Sequence, residues 1–170
     1  MDMMLTIGER INASRKSVAQ AVREKDAQII RAEMEMQLRG GAMMLDINGG
    51  SSAEEELGNM MWLMDIIAPK KDIPLSIDSA NPAVIKAAVE RMIEIRGTNV
   101  PEACETTPGL PWLLLNSISG EEKRFSALLP LIKKYNTAVV ALCMDDYGLP
   151  TTAEARVQIG SNLVRRLVAE

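Results

Sequence analysis

The chain has no histidine. That absence excludes Ser–His–Asp and Cys–His nucleophilic catalysis, HExxH zinc sites and a histidine general base within these residues. Acid–base chemistry here must use carboxylates, amides, lysine, tyrosine or cysteine. Cysteine is scarce too: Cys104 and Cys143 are the two present, and neither sits in a metal-ligand spacing. A disulfide-built secreted fold is therefore not expected, and a reducing cytoplasm is the expected compartment. Aromatic residues are only 3% of the chain, while methionine occurs 12 times. Met43, Met44, Met60, Met61 and Met64 fall in or beside apolar segments and read as adaptable core filler. No apolar run is long enough to span a bilayer, and the opening MDMMLTIGER lacks the basic-then-apolar order of a signal peptide. The net charge of −4 is mild. No basic patch stands out to neutralise phosphates, so nucleic acid is not an expected partner. Neither GxGxxG nor GxxxxGK[ST] follows any apolar run, which weakens a nucleotide-binding doubly wound fold.

What is present is a core. At 170 residues and 47% apolar, the chain can build one domain. Short apolar runs alternate with longer amphipathic ones. Met4–Ile7 reads as a strand ending in Gly8-Glu9-Arg10-Ile11-Asn12, and a short helix follows over Ser17–Glu24. Asp26 is placed to cap a second helix through Leu38, which Gly40-Gly41 stops. Met43–Ile47 is the next strand. Ala53–Ala68 reads as a helix with Glu54 to Glu56 in its first turn, where they favour the dipole. Pro74–Ile77 is a strand, and Asn81-Pro82 opens a helix to about Ile95 with proline at its first position. Arg96–Pro111 is rich in glycine and proline and reads as an irregular loop. Trp112–Leu115 is a strand. Glu121–Tyr135 is helical, with Pro130 expected to kink or divide it. Ala138–Leu142 is a strand, Gly148-Leu149-Pro150 turns the chain, and Thr151 or Thr152 caps a last helix. This pattern is five β–α repeats without a hairpin signal. It predicts an α/β fold with a parallel sheet and helical crossovers.

The strand runs end alike, in an amide or a carboxylate: Asn12, then Asp46 with Asn48, Asp78, Asn116, and Asp145 with Asp146. In a parallel barrel those ends converge on one face, where active sites sit. One such residue alone is more often a turn former or a helix cap. Five in succession favour a polar mouth. Only Arg10 and Arg15 lie near that mouth, so a phosphate-dominated ligand is a poor fit. A flat, neutral heterocycle with N–H donors fits better. A carboxylate accepts two parallel hydrogen bonds from an amino-pyrimidinone edge, and an asparagine donates and accepts at once. Leaving such groups buried without partners would cost roughly 1–3 kcal/mol each, so the pocket should select the matching edge. A hard cation such as Mg²⁺ held by Asp46, Asp78, Asp145 and Asp146 is the competing reading.

The segments LTIGERINASRKSV, GGAMMLDINGG, PLSIDSANPAVI, LLLNSISGEEKR and VVALCMDDYGLPTTAEAR resemble the successive strand-end motifs of the methyltetrahydrofolate:corrinoid protein methyltransferases. These are pterin-binding TIM-type barrels, related to dihydropteroate synthase and to the folate module of cobalamin-dependent methionine synthase. The resemblance covers nearly the whole chain except Arg96–Pro111. It implies a parallel (β/α) barrel with five of eight units present, residues 1–170 forming one pterin-binding domain. It implies that Asp78 and Asn116 contact the pterin, that Asp46 and Asn48 supply the floor and rim, and that Asn12 faces the mouth. Met144 would lie against the ring with Asp145 beside it. No metal ligand is implied. The implied activity is that of a methyltransferase. It moves the N5-methyl group of methyltetrahydrofolate to cob(I)alamin (cobalamin carried by a partner corrinoid protein). N5 must gain a proton or a strong hydrogen bond as its C–N bond breaks.

A closed eight-unit barrel needs about 250 residues. The family's sixth-strand "DP" and seventh-strand "SN" motifs have no counterpart here, so the N5-activating asparagine is expected beyond Glu170. The chain is accordingly expected to be a fragment, inactive in methyl transfer alone, with open edges at its first and fifth strands that favour a second copy or a completing chain. The Arg96–Pro111 loop should lie away from the ligand, with Cys104 an incidental thiol. Two rival readings are a dihydropteroate synthase-like condensing enzyme and a non-catalytic folate-binding module.

Overall fold

Successive residues of each strand point to opposite faces of the sheet, and this alternation organises the molecule. The computed structural model describes residues 4–50, 52–98, 104–105, 107 and 109–169. Its elements run β1 (Ile7–Asn12), α1 (Lys16–Glu24), α2 (Ala27–Arg39), β2 (Met44–Asn48), α3 (Glu56–Ile67), β3 (Leu75–Asp78), α4 (Pro82–Arg96), β4 (Leu113–Ser119), α5 (Glu122–Tyr135), β5 (Ala138–Leu142) and α6 (Ala153–Ala169). The five strands are parallel and lie in the order β1-β2-β3-β4-β5. Each new strand is added beside the last with no reversal, which is how a barrel winds and not how a doubly wound sheet does. The helices follow suit: α2 packs on α3, α3 on α4, and α4 on α5.

Side chains of a strand point alternately to its two faces. Leu45, Ile47, Leu75, Ile77, Leu113 and Leu115 are fully buried and join the helices in one core. The alternate residues, Met44, Asp46 and Asn48 on β2 and Ser76 and Asp78 on β3, face the other way. One face of the sheet thus holds the helices, and the opposite face carries the polar groups.

Local signals explain the helix ends. The Asp26 carboxylate accepts from the amides of Gln28 and Ile29 at 2.9 and 3.3 Å, so it caps α2 as expected. Asn81 caps α4 with Pro82 at the first turn, and Thr152 accepts from Ala155 N at 3.2 Å to cap α6. Gly41, at φ +93°, reverses the chain after α2.

Four boundaries differ from expectation. The first strand is Ile7–Asn12, not Met4–Ile7. Met4 and Leu5 are exposed, whereas Ile11 is wholly buried and pairs with Ile47. The third helix starts at Glu56, and Ser52 to Glu55 form a turn before it. The fourth strand continues to Ser119 because Ser117 and Ser119 are small enough to be buried. Helix α5 runs unbroken through Pro130. Proline there removes the donor to the Ser126 carbonyl, but both residues are exposed, so water can replace that bond.

In the expected Arg96–Pro111 loop, residues 99–103, 106 and 108 lie outside the described residues. Cys104 is a free, partly buried thiol whose pKa is pushed up by burial and then by Glu105. No helix among the described residues is long and apolar enough to cross a membrane.

Candidate functional site

Parallel pairing places the strand ends side by side. Asn12 is the register partner of Asn48, and Asp78 is the register partner of Asn116. Asn48 closes the row, its Nδ2 donating to Asp78 Oδ2 at 2.8 Å. Four adjacent strands therefore present an amide, an amide, a carboxylate and an amide at one level. All four side chains are half-buried.

One step deeper, two residues down the pleat, lies Asp46, 3% exposed. Its register partner is Ser76, which is fully buried. The Ser76 hydroxyl donates to Asp46 Oδ1, and Asn116 Nδ2 donates to the same oxygen at 3.3 Å. Burial pushes the Asp46 carboxyl up to about 6; Asp78 and Glu9 add to the rise, while the bonds from Ser76 and Asn116 oppose it.

These bonds decide which way the amides face. Asn48 accepts from Gly50 N at 2.9 Å and donates to Asp78. Asn116 gives its NH₂ group to Asp46, which turns its carbonyl oxygen the other way. The row thus offers acceptors on Asp78 and Asn116, flanked by the donor of Asn48. That pattern is complementary to a heterocycle edge bearing neighbouring N–H donors.

The rim is tied to the loops that follow the strands. The Ser79 hydroxyl donates to the buried Glu56 carboxylate at 2.5 Å. Arg124, from the first turn of α5, donates to the carbonyls of Ser79, Ala80 and Ser117. A cavity of about 400 Å³ beside the row is lined by Asp78, Ser79, Ser117, Arg124, Leu142 and Met144, among others.

Of the residues expected at the mouth, Asn12, Asp46, Asn48, Asp78 and Asn116 come together. Asn12 also serves its own turn, accepting from Ser14 N at 2.9 Å. Met144 shares the cavity with Asp78. Asp145 does not join them. Its carboxylate accepts from Tyr147 N at 3.0 Å, its backbone pairs with Gly148, and it lines a separate cavity of about 430 Å³ against Ile159, Leu163 and Arg166 of α6. Asp146 accepts from Glu122 N at 3.3 Å, at the start of α5. Among the described residues, no three carboxylate or thiol side chains gather as a group that could hold a metal ion.

Sequence reasoning missed Ser76, Glu56 and Arg124. Ser76 had a signal: it lies two residues before Asp78 and so shares its face. Glu56 and Arg124 act through contacts across loops and carried none.

A family model described as pterin binding enzyme matches residues 8–169. The chain is 34% identical over 163 residues to a methylcorrinoid:tetrahydrofolate methyltransferase of Eubacterium limosum, covering 95% of this chain and 54% of that protein. It is 28% identical over 165 residues to a methionine synthase of Mycobacterium tuberculosis, covering 95% of this chain and 13% of that one. A methionine synthase of Mycobacterium leprae matches similarly, 28% over 167 residues. The chain thus spans about half the length of the first relative and a smaller share of the others.

Proposed function

The chain belongs to the pterin-binding enzyme family, and from that premise we propose that residues 1–170 form one pterin-binding domain that takes the head of a tetrahydrofolate. The observation that carries this reading is the hydrogen-bonded row Asn48–Asp78–Asn116 over the buried Asp46. Asp78 and Asn116 take the N–H donors of the amino-pyrimidinone edge. Asn48 holds Asp78 in place, Asp46 holds Asn116, and Met144 closes the cavity beside the ring.

For the protein as a whole we propose methyl transfer between the folate N5 and a corrinoid carried by a partner protein. The Eubacterium limosum relative is named for transfer from methylcorrinoid to tetrahydrofolate, the reverse of the direction taken from the family resemblance. One site serves both directions, because the same groups must hold the same transition state. Toward folate, the N5 lone pair takes the methyl carbon, the cobalt–carbon bond breaks with its electrons left on cobalt, and N5 gives up its proton. The corrinoid supplies the methyl-carrying cobalt. The residues described here bind and orient the pterin so that N5 meets the methyl in line. A reducing cytoplasm suits the free thiols of Cys104 and Cys143.

Titration calorimetry of the chain with tetrahydrofolate tests the reading. Binding is expected. Asp78→Ala should weaken it by roughly 10- to 100-fold, since two ligand donors lose their acceptor. Absence of binding, or equal binding by the variant, would refute the site. Incubation with tetrahydrofolate and a methylated corrinoid protein, followed through the corrinoid absorption, tests transfer. Condensation of p-aminobenzoate instead would favour the dihydropteroate synthase-like chemistry.

A further inference from the structure

We infer that Arg124 is a positioning residue whose guanidinium fixes the spacing between Asp78 and Asn116 by clamping the carbonyls that follow them. The inference rests on the pterin reading for its purpose and on geometry for its substance. β3 ends at Asp78, and the ladder of β4 with β5 becomes irregular just after Asn116. One more backbone bond follows, from Ser79 N to Asn116 O at 3.1 Å, and past it no strand pairing holds the two chain segments together. Arg124 takes over there. Its Nε and Nη2 donate to Ser117 O at 3.0 and 2.5 Å, Nη2 donates to Ser79 O at 2.8 Å, and Nη1 donates to Ala80 O. Ser79 and Ser117 are the residues immediately after Asp78 and Asn116.

Helix stability does not explain an arginine at this place. Arg124 sits in the first turn of α5, where a cation opposes the helix dipole. It is also partly buried, which lowers its pKa against the pull of Glu121 and Asp78. A planar fork suits the task because it reaches the two segments at once. A lysine ammonium, with one nitrogen on a flexible stem, cannot hold both in a fixed geometry.

The experiment compares the wild-type chain with Arg124→Ala and Arg124→Lys. Tetrahydrofolate affinity should fall by at least about tenfold in both, because small misplacements of binding groups weaken their contacts steeply. Guanidinium ion at low millimolar concentration should restore affinity in Arg124→Ala, whereas methylammonium should not. A role confined to folding would give no such selective rescue. Amide hydrogen exchange needs no ligand and forms the second arm: Ser79 and Asn81 should exchange faster in the variants. Unchanged exchange, or affinity lost without guanidinium rescue, overturns the clamp. If no protein binds tetrahydrofolate but exchange accelerates at Ser79 and Asn81, the clamp stands and the pterin reading falls. Arg124→Lys is the variant to measure should the alanine form fail to fold.

Discussion

Replacing Asp46 with asparagine should stabilise the protein at neutral and alkaline pH, and the gain should fade in acid. The carboxyl is 3% exposed and titrates at about 6 in the folded protein, against an ordinary value of 3.8. The folded state therefore holds this proton more tightly than the unfolded chain does. Folding takes up a proton between about pH 4 and pH 6, and the stability tied to this group falls as pH rises through that window. Above it the full cost of a buried charge stands; below it there is none. At ~1.36 kcal/mol per pKa unit, the difference between 3.8 and about 6 amounts to about 3 kcal/mol. An amide oxygen at position 46 can still accept from Ser76 and Asn116, and the Ser76 hydroxyl can turn to accept from the new NH₂ group. The value of about 6 already contains the repulsion from Asp78 and Glu9 and the opposing bonds from Ser76 and Asn116. The expected net is about 3 kcal/mol in favour of Asp46→Asn at pH 8, fading to well under about 1 kcal/mol near pH 4. Urea unfolding of both proteins at pH 4, 6 and 8 measures it, with equal m-values as the control on two-state behaviour. A variant less stable than wild type at pH 8, or a gain independent of pH, would refute the reasoning. A stabilised variant that binds tetrahydrofolate more weakly would mark Asp46 as a group kept for the site at the expense of the fold.

Three further outcomes are expected. Asp26→Ala removes the acceptor for the Gln28 and Ile29 amides and should lower stability by about 1 kcal/mol in thermal melts. Leu115→Ala empties a fully buried position between sheet and helices and should lower stability by about 2–5 kcal/mol in urea melts. Gly49→Ala places a Cβ 2.8 Å from Met60 N. α3 must shift, at a cost of about 1–3 kcal/mol, and tetrahydrofolate titration should weaken because Asn48 adjoins the displaced turn.

Where the fold was legible, it was legible through contrast. β2 and β3 come out within one residue of their apolar runs and β5 on the same residues, because each run is bounded by glycine, proline or a polar group. Gly8-Glu9-Arg10 looks in the sequence like the end of a strand, yet it lies inside β1. β1 is an edge strand among the described residues, held by backbone pairing to β2 and by the Arg10–Glu33 ion pair at 2.7 Å. Its polar side chains need no burial to stay in the sheet. β4 runs past its expected end for the opposite reason. Ser119 looks like loop chemistry, yet it is fully buried with its hydroxyl donating to Glu121 at 2.7 Å.

The same contrast explains which strand-end groups entered the site. Asn12, Asn48 and Asp78 are the last residues of their strands, and Asn116 sits at the last regular pairing with β3. The ladder holds their backbones, so their side chains must point along the pleat into a common row. Asp145 lies three residues beyond Leu142, where β5 ends. No ladder fixes it there, and it bonds its own turn instead. In the sequence the two cases look alike, a polar residue after an apolar run, because the position where hydrogen-bonded pairing stops depends on the neighbouring strand. A site residue of this kind is therefore defined by two chain segments jointly. That is also why Arg124, which bonds two such segments where pairing ends, could be found only in three dimensions.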